Sequence, residues 1–171
     1  MTVILWLLRH AHALDNPPPG GRDRDRALSR RGEREATDLG RQIAAREIPG
    51  DVPDLVICSP AVRTRSTAEL AFTKVASPIS RDKRLYQATP DDVLDIVREI
   101  PDEIRVMAVV GHNPTIHGLA LDLATDAGAD HPASAFYPPA TLCVLEFPAE
   151  GFSSLEWGTG ELIQHRVPEA I

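Results

Sequence analysis

Arg9-His10 closes one apolar run, Val3-Ile4-Leu5-Trp6-Leu7-Leu8, and Gly111-His112 closes another, Val106-Met107-Ala108-Val109-Val110. Open α/β sheets bind ligands at the carboxyl ends of their strands, so two such runs can bring two imidazoles and a guanidinium into one crevice. That combination suits a phosphate group. Leu55-Val56-Ile57-Cys58 forms a third apolar run, ending in Ser59-Pro60, and the helix that follows carries Arg63 in its first turn. Arg26, in the long first loop, can fold back over the same edge. Guanidinium forks match phosphate oxygens two at a time and stay charged when desolvated. Arg9, Arg26 and Arg63 together would more than neutralise a phosphoryl dianion. The same charges disfavour protonation of His10 and keep a neutral ring available for attack. A backbone carbonyl on one of its nitrogens would fix the tautomer and aim the other at phosphorus. His112 could then stabilise charge on the transferring oxygens. With no glycine-rich phosphate loop and no acidic metal cluster in the sequence, these side chains are expected to act without Mg²⁺ or another cofactor.

The elements that must position these groups can be read from periodicity. The runs at 3–9, 54–58 and 106–110 have the length and apolar content of buried parallel strands. Residues 79–85 hold a further short strand. Ser29 is a helix N-cap followed by Ala36, Leu39, Ile43 and Ala44 at helical spacing, and Pro49-Gly50 ends that helix. Ser59 reads as the cap and Pro60 as the opening residue of a second helix, to about Lys74. Thr89-Pro90-Asp91-Asp92 supplies cap, proline and acidic first turn for a third, and Ile116, Leu119, Ala120 and Leu123 share one face of a fourth. Thr141–Phe147 and Glu161–Val167 read as a hairpin at one edge. Strands alternating with helices predict a three-layer α/β/α sandwich around a mostly parallel sheet with an antiparallel edge.

The bulk properties fit that picture. A chain of 171 residues, 43% hydrophobic and 25% charged, is expected to be a single domain spanning 1–171 with a full core. No apolar stretch approaches the ~20 residues that cross a bilayer, and the start lacks a basic leader, so a cytoplasmic location and no membrane partner are expected. Cys58 and Cys143 lie inside apolar runs and read as small buried hydrophobes. The net charge of −7 argues against nucleic acid as a partner. That charge is uneven: residues 1–65 hold 11 arginines against 9 acidic residues, and the acidic excess lies beyond them.

Three motifs in order carry a family resemblance: Leu8-Arg9-His10-Ala11, then Ser59-Pro60-Ala61-Val62-Arg63-Thr64 with Thr67-Ala68, then Gly111-His112-Asn113-Pro114. Over nearly its whole length the chain resembles the histidine phosphatase superfamily, and within it the small capless SixA-type phosphohistidine phosphatases. The resemblance implies a phosphoglycerate mutase-like fold and a phosphoric hydrolase acting in two steps through phospho-His10. Arg9, Arg63 and His112 match the phosphate pocket, and Arg26 in Arg26-Ala27-Leu28-Ser29 matches the family's Arg-Pro-Leu-Thr arginine. The implied partner is a phosphorylated protein, such as a histidine phosphotransfer domain, or a small phosphorylated substrate.

The departures from the family pattern are informative. Ala11 replaces the usual glycine after the histidine, and His12 is expected at the rim of the pocket. A His10/His12 metal pair is the minor alternative for that segment, and it lacks further ligands at suitable spacing. His117, His131 and His165 have no motif behind them and read as surface or structural groups. Mutases and broad phosphatases of the superfamily carry a glutamate near Leu85-Tyr86-Gln87-Ala88, where this chain offers Gln87; Asp91 or Asp92 is the nearest substitute acid. An alkoxide leaving group needs such a donor, worth about 10²–10⁴-fold, whereas an imidazole protonated on its other nitrogen departs as a neutral molecule. The rival readings are a small-molecule or nucleotide phosphatase with the same pocket, and a catalytically silent phosphohistidine-binding module.

Overall fold

The computed structural model describes residues 1–126, 128 and 130–169. Six strands form one sheet in the order β3-β2-β4-β1-β5-β6: β1 Val3–Arg9, β2 Leu55–Cys58, β3 Ile79–Arg81, β4 Val106–Gly111, β5 Leu142–Phe147 and β6 Glu161–Arg166. β1, β2, β3 and β4 run parallel, whereas β5 is antiparallel to both β1 and β6, so the expected hairpin forms one edge. Side chains alternate across the sheet. Val3, Leu5 and Leu7 of β1 face a core shared with helices α3 (Pro90–Arg98) and α4 (Thr115–Leu123). Trp6 and Leu8 face the opposite core, built with α1 (Arg30–Ala44) and α2 (Val62–Phe72). This is a three-layer α/β/α sandwich. A fifth, four-residue helix, α5 Pro132–Ala135, was not foreseen from the sequence. No helix of the described residues is long and apolar enough to cross a membrane.

The predicted caps at Ser29 and Thr89 both form, the first accepting from Gly32 N and the second completing a capping box with Asp92. Two local expectations are corrected. Ser59 does not cap the second helix: α2 begins at Val62 after Ala61, because the Ser59 hydroxyl turns to His112 instead. The strand expected over 79–85 stops at Arg81, where the Asp82 side chain accepts from Arg84 N and caps a 3-10 turn, Lys83–Leu85. Both cysteines are buried free thiols, and burial pushes Cys58 up to about 11 and Cys143 up to about 12.

Candidate active site

The carboxyl ends of β1, β2 and β4 are neighbours in the sheet and open on one edge. Arg9 pairs with Gly111 in register, and His10 N donates to Gly111 O at 3.0 Å, so the residues following the two strands are tied together by the ladder itself. The His10 and His112 ring centres lie 5.4 Å apart. Arg9, His10, Arg26, Arg63 and His112 all line one cleft of about 660 Å³. All five residues singled out from the sequence therefore share one space. Arg22 and Arg24, the sequence neighbours of Arg26, do not line it.

The tautomer of His10 follows from its partner. Nδ1 lies 2.8 Å from Ala11 O, and a carbonyl only accepts, so the neutral ring carries its proton on Nδ1 and its lone pair on Nε2. Burial is the main force holding its pKa down to about 3, assisted by His112, Arg63 and Arg9. His112 is depressed to about 4, again chiefly by burial and then by Arg63 and Arg9. Its Nε2 lies 2.8 Å from Ser59 Oγ, which itself accepts from Ala61 N. With the Ser59 hydroxyl donating to His112 Nε2, the ring's own proton sits on Nδ1. That atom, with Arg9 Nε and Arg63 Nε, is buried without a hydrogen-bond partner among the described residues. Three donors at one edge are a ready anion site.

Because both imidazoles have folded pKa values below the ordinary 6.5, the folded state binds fewer protons than the unfolded chain in acid. Stability is therefore complete above about pH 6.5 and is lost as the pH falls toward 4. We expect the urea midpoint of the ligand-free protein to drop over that interval, and the drop to be shallower for His10→Asn.

The arginines are anchored unequally. Arg9 Nη1 donates to Tyr137 O at 2.8 Å, and Asn113 Nδ2 shares that carbonyl at 3.1 Å. Arg63, only 6% exposed, gives Nη1 to Asp23 O at 2.8 Å and Nη2 to Asp23 Oδ2 at 3.0 Å. Arg26 donates Nε to Leu14 O at 2.6 Å and Nη1 to Asp23 Oδ1 at 3.1 Å. Asp23 also accepts from Tyr86 Oη at 2.9 Å. Burial works against its charge, but the hydrogen bonds from Tyr86, Arg26 and Arg63 win and hold it down to about 2. Among the described residues lining the cleft it is the sole carboxylate.

Asp23, Tyr86 and Ser59 are the participants that sequence reasoning missed or misassigned. Asp23 sits in the alternating run Arg22-Asp23-Arg24-Asp25-Arg26, which reads as solvated loop. Gln87 does line the cleft, with its backbone in the left-handed region at φ 61°, a conformation that costs a non-glycine residue about 1 kcal/mol or more. Asp91 and Asp92 do not line it, and the Asp92 carboxylate is occupied by Thr89 N and Oγ1. His12 is corrected too: it is not at the rim, because its Nδ1 turns to Ser29 Oγ at 2.8 Å. No three His, Cys, Asp or Glu residues among those described are grouped to hold a metal ion. His117 stacks on Tyr137 with ring centres 5.0 Å apart, and His165 approaches the same ring at 5.9 Å.

The histidine phosphatase superfamily (branch 1) matches residues 5–93. An uncharacterized protein of Mycobacterium tuberculosis is 36% identical over 161 residues, covering 92% of this chain and 98% of that protein. The chain therefore belongs to the histidine phosphatase superfamily, and its class of chemistry is that of a phosphatase. Within that class it is similar to a candidate phosphohistidine phosphatase SixA from Nakamurella multipartitia, at 29% identity and a TM-score of 0.83 over 99% of this chain and 98% of that one. A corresponding SixA candidate from Agrobacterium tumefaciens is also 29% identical, with a TM-score of 0.78 over 97% and 98%.

Proposed function

We propose that residues 1–171 act as one catalytic domain, a SixA-type phosphohistidine phosphatase that moves a phosphoryl group from a protein phosphohistidine to His10 and then to water. In the first step the His10 Nε2 lone pair forms a bond to phosphorus while the substrate P–N bond breaks. The electron pair leaves on the substrate imidazole, which is neutral because its other nitrogen carries a proton. Phospho-His10 keeps Nδ1–H on Ala11 O, so bonds of one kind are exchanged and the step is nearly isoenergetic. Water then attacks phosphorus, the N–P pair returns to Nε2, and the water proton leaves with inorganic phosphate. Arg9, Arg63 and Arg26 neutralise the dianion, and His112 Nδ1–H serves the transferring oxygens.

The observation that carries the substrate class is the lack of an available acid among the described residues of the cleft. Gln87 is an amide, Asp23 is held ionised, and the Tyr86 proton is given to Asp23. An ester would have to expel an alkoxide unaided, whereas a phosphoimidazole would not. The volume of the cleft would also admit a small phosphate ester. Assay against a phosphorylated histidine phosphotransfer domain and an alkyl phosphate, whose leaving group is an alkoxide, separates the two readings. We expect kcat/KM for the phosphohistidine to exceed that for the ester by about 10²-fold, and Gln87→Glu to narrow that gap by raising ester turnover. Ester turnover above phosphohistidine turnover in the unaltered protein would overturn the substrate class.

A further inference from the structure

The polar backbone around His10 has a partner for each of its groups. His10 N gives to Gly111 O, His10 O accepts from Ala140 N, and Ala11 N gives to Thr67 Oγ1 at 3.0 Å. Ala11 O accepts from the His10 ring, and His12 O accepts from Ser29 N. Only one of these partners is charged. His12 N gives to Glu35 Oε2 at 3.0 Å, and Glu35 is only 1% exposed. The other carboxylate oxygen of Glu35 takes Arg31 Nε at 2.7 Å.

Ala11 O and His12 N–H belong to the same peptide group. A planar amide passes polarisation from one end to the other: a charged acceptor on the N–H makes the carbonyl a better acceptor. We propose that Glu35 is a positioning residue for the nucleophile, acting on His10 through the Ala11–His12 peptide in the order Glu35 carboxylate, His12 N–H, Ala11 C=O, His10 Nδ1–H. The carboxylate fixes the plane of that peptide, and with it the carbonyl that orients the ring. It also strengthens the bond that keeps the Nδ1 proton in place and so leaves electron density on Nε2. A carboxylate bonded directly to an imidazole would do the same with one link fewer.

The surrounding packing supports a dedicated contact. Helix α1 reaches this peptide because Gly32 presents no side chain; a Cβ there would meet His12 N at 2.9 Å and the next carbonyl, His12 O, at 2.0 Å. Glu35 lies one turn further along the same buried face, and its charge also favours the cationic form of Arg9. A buried carboxylate on the apolar face of a helix costs desolvation energy, which the two hydrogen bonds offset.

The inference rests on His10 as the nucleophile, and its test includes a readout independent of turnover. Glu35→Gln keeps the shape and one acceptor oxygen but removes the charge; Glu35→Ala removes the acceptor. Nitrogen-15 spectra of the His10 ring report its tautomer, and steady-state kinetics report kcat and KM separately. We expect Glu35→Gln to retain the Nδ1–H tautomer with a weakened hydrogen bond and to lower kcat about 3–10-fold at unchanged KM. We expect Glu35→Ala to mix the tautomers and lower kcat about 10²-fold, with vanadate affinity held within about 2-fold by the intact arginines. Glu35→Gln with His10 ring spectra and kcat equal to those of the unaltered protein would overturn the proposal. So would a Glu35→Ala loss that merely tracks the unfolded fraction while the ring spectra stand still. If instead His10 proves not to be the nucleophile, turnover survives His10→Ala while the ring spectra still respond to Glu35, so the two failures are distinguishable.

Discussion

His10→Ala is expected to lower phosphohistidine turnover by about 10⁴-fold or more, the largest effect of any single substitution in the cleft. The reason is specific to its geometry. Nε2 carries the lone pair because Nδ1 is committed to Ala11 O, and the ring stays neutral far into acid because burial and cationic neighbours disfavour the imidazolium. Alanine supplies neither a nucleophile nor a site for the covalent intermediate. His112 cannot substitute, since its Nε2 is taken by Ser59 and its Nδ1 then carries the proton. Brief reaction with labelled phosphodonor, then quenching in base, should trap an acid-labile phosphoramidate on the unaltered chain and none on the variant. Turnover by His10→Ala within about tenfold of the unaltered protein would remove His10 as nucleophile.

Arg63→Ala is expected to weaken vanadate or phosphate binding by about 10²–10³-fold, read by calorimetric titration, whereas Lys74→Ala changes it by less than about twofold. Arg63 is buried in the first turn of α2 and lines the cleft with its guanidinium on Asp23, so its charge is poorly screened. Lys74 is exposed beyond the far end of that helix, where solvent screens it. The substitution also removes one of the donors on Asp23, leaving its carboxylate to Arg26 and Tyr86, so its negative charge is less compensated beside the incoming anion. Equal effects of the two substitutions would count against the pocket as drawn.

Much of this site was legible in the chain because it hangs from the strands. Apolar runs ending in Arg9-His10 and Gly111-His112 determine both the burial of β1 and β4 and the edge at which their next residues emerge. Arg63 was legible for the same reason, one helical turn past a strand end. Loop and rim contacts were not. Nothing in local spacing says that Asp23 folds back onto Arg63 and Tyr86, 40 and 63 residues away, rather than facing water beside its neighbouring arginines. Ser59 was misread because an Ser-Pro pair before a helix carries a cap signal, while its hydroxyl had a stronger claim from His112 in another segment. His12 was misread likewise: its proximity in sequence to His10 says nothing of the ring turning to the start of α1. Glu35 left a fainter sign, as a carboxylate on a helix face otherwise made of Gly32, Ala36, Leu39, Gly40 and Ile43.

The ladder bond between His10 N and Gly111 O divides this molecule into parts with different freedom to vary. The spacing of the two rings is a property of strand pairing, so inserting or deleting a single residue in β1 or β4 would turn one imidazole toward the opposite layer and extinguish the chemistry outright. The adjoining wall, from Tyr86 to Ala88, belongs to a turn whose length and side chains can change without touching that spacing. New substrates would thus be acquired by remodelling that wall while the reacting centre stays as it is.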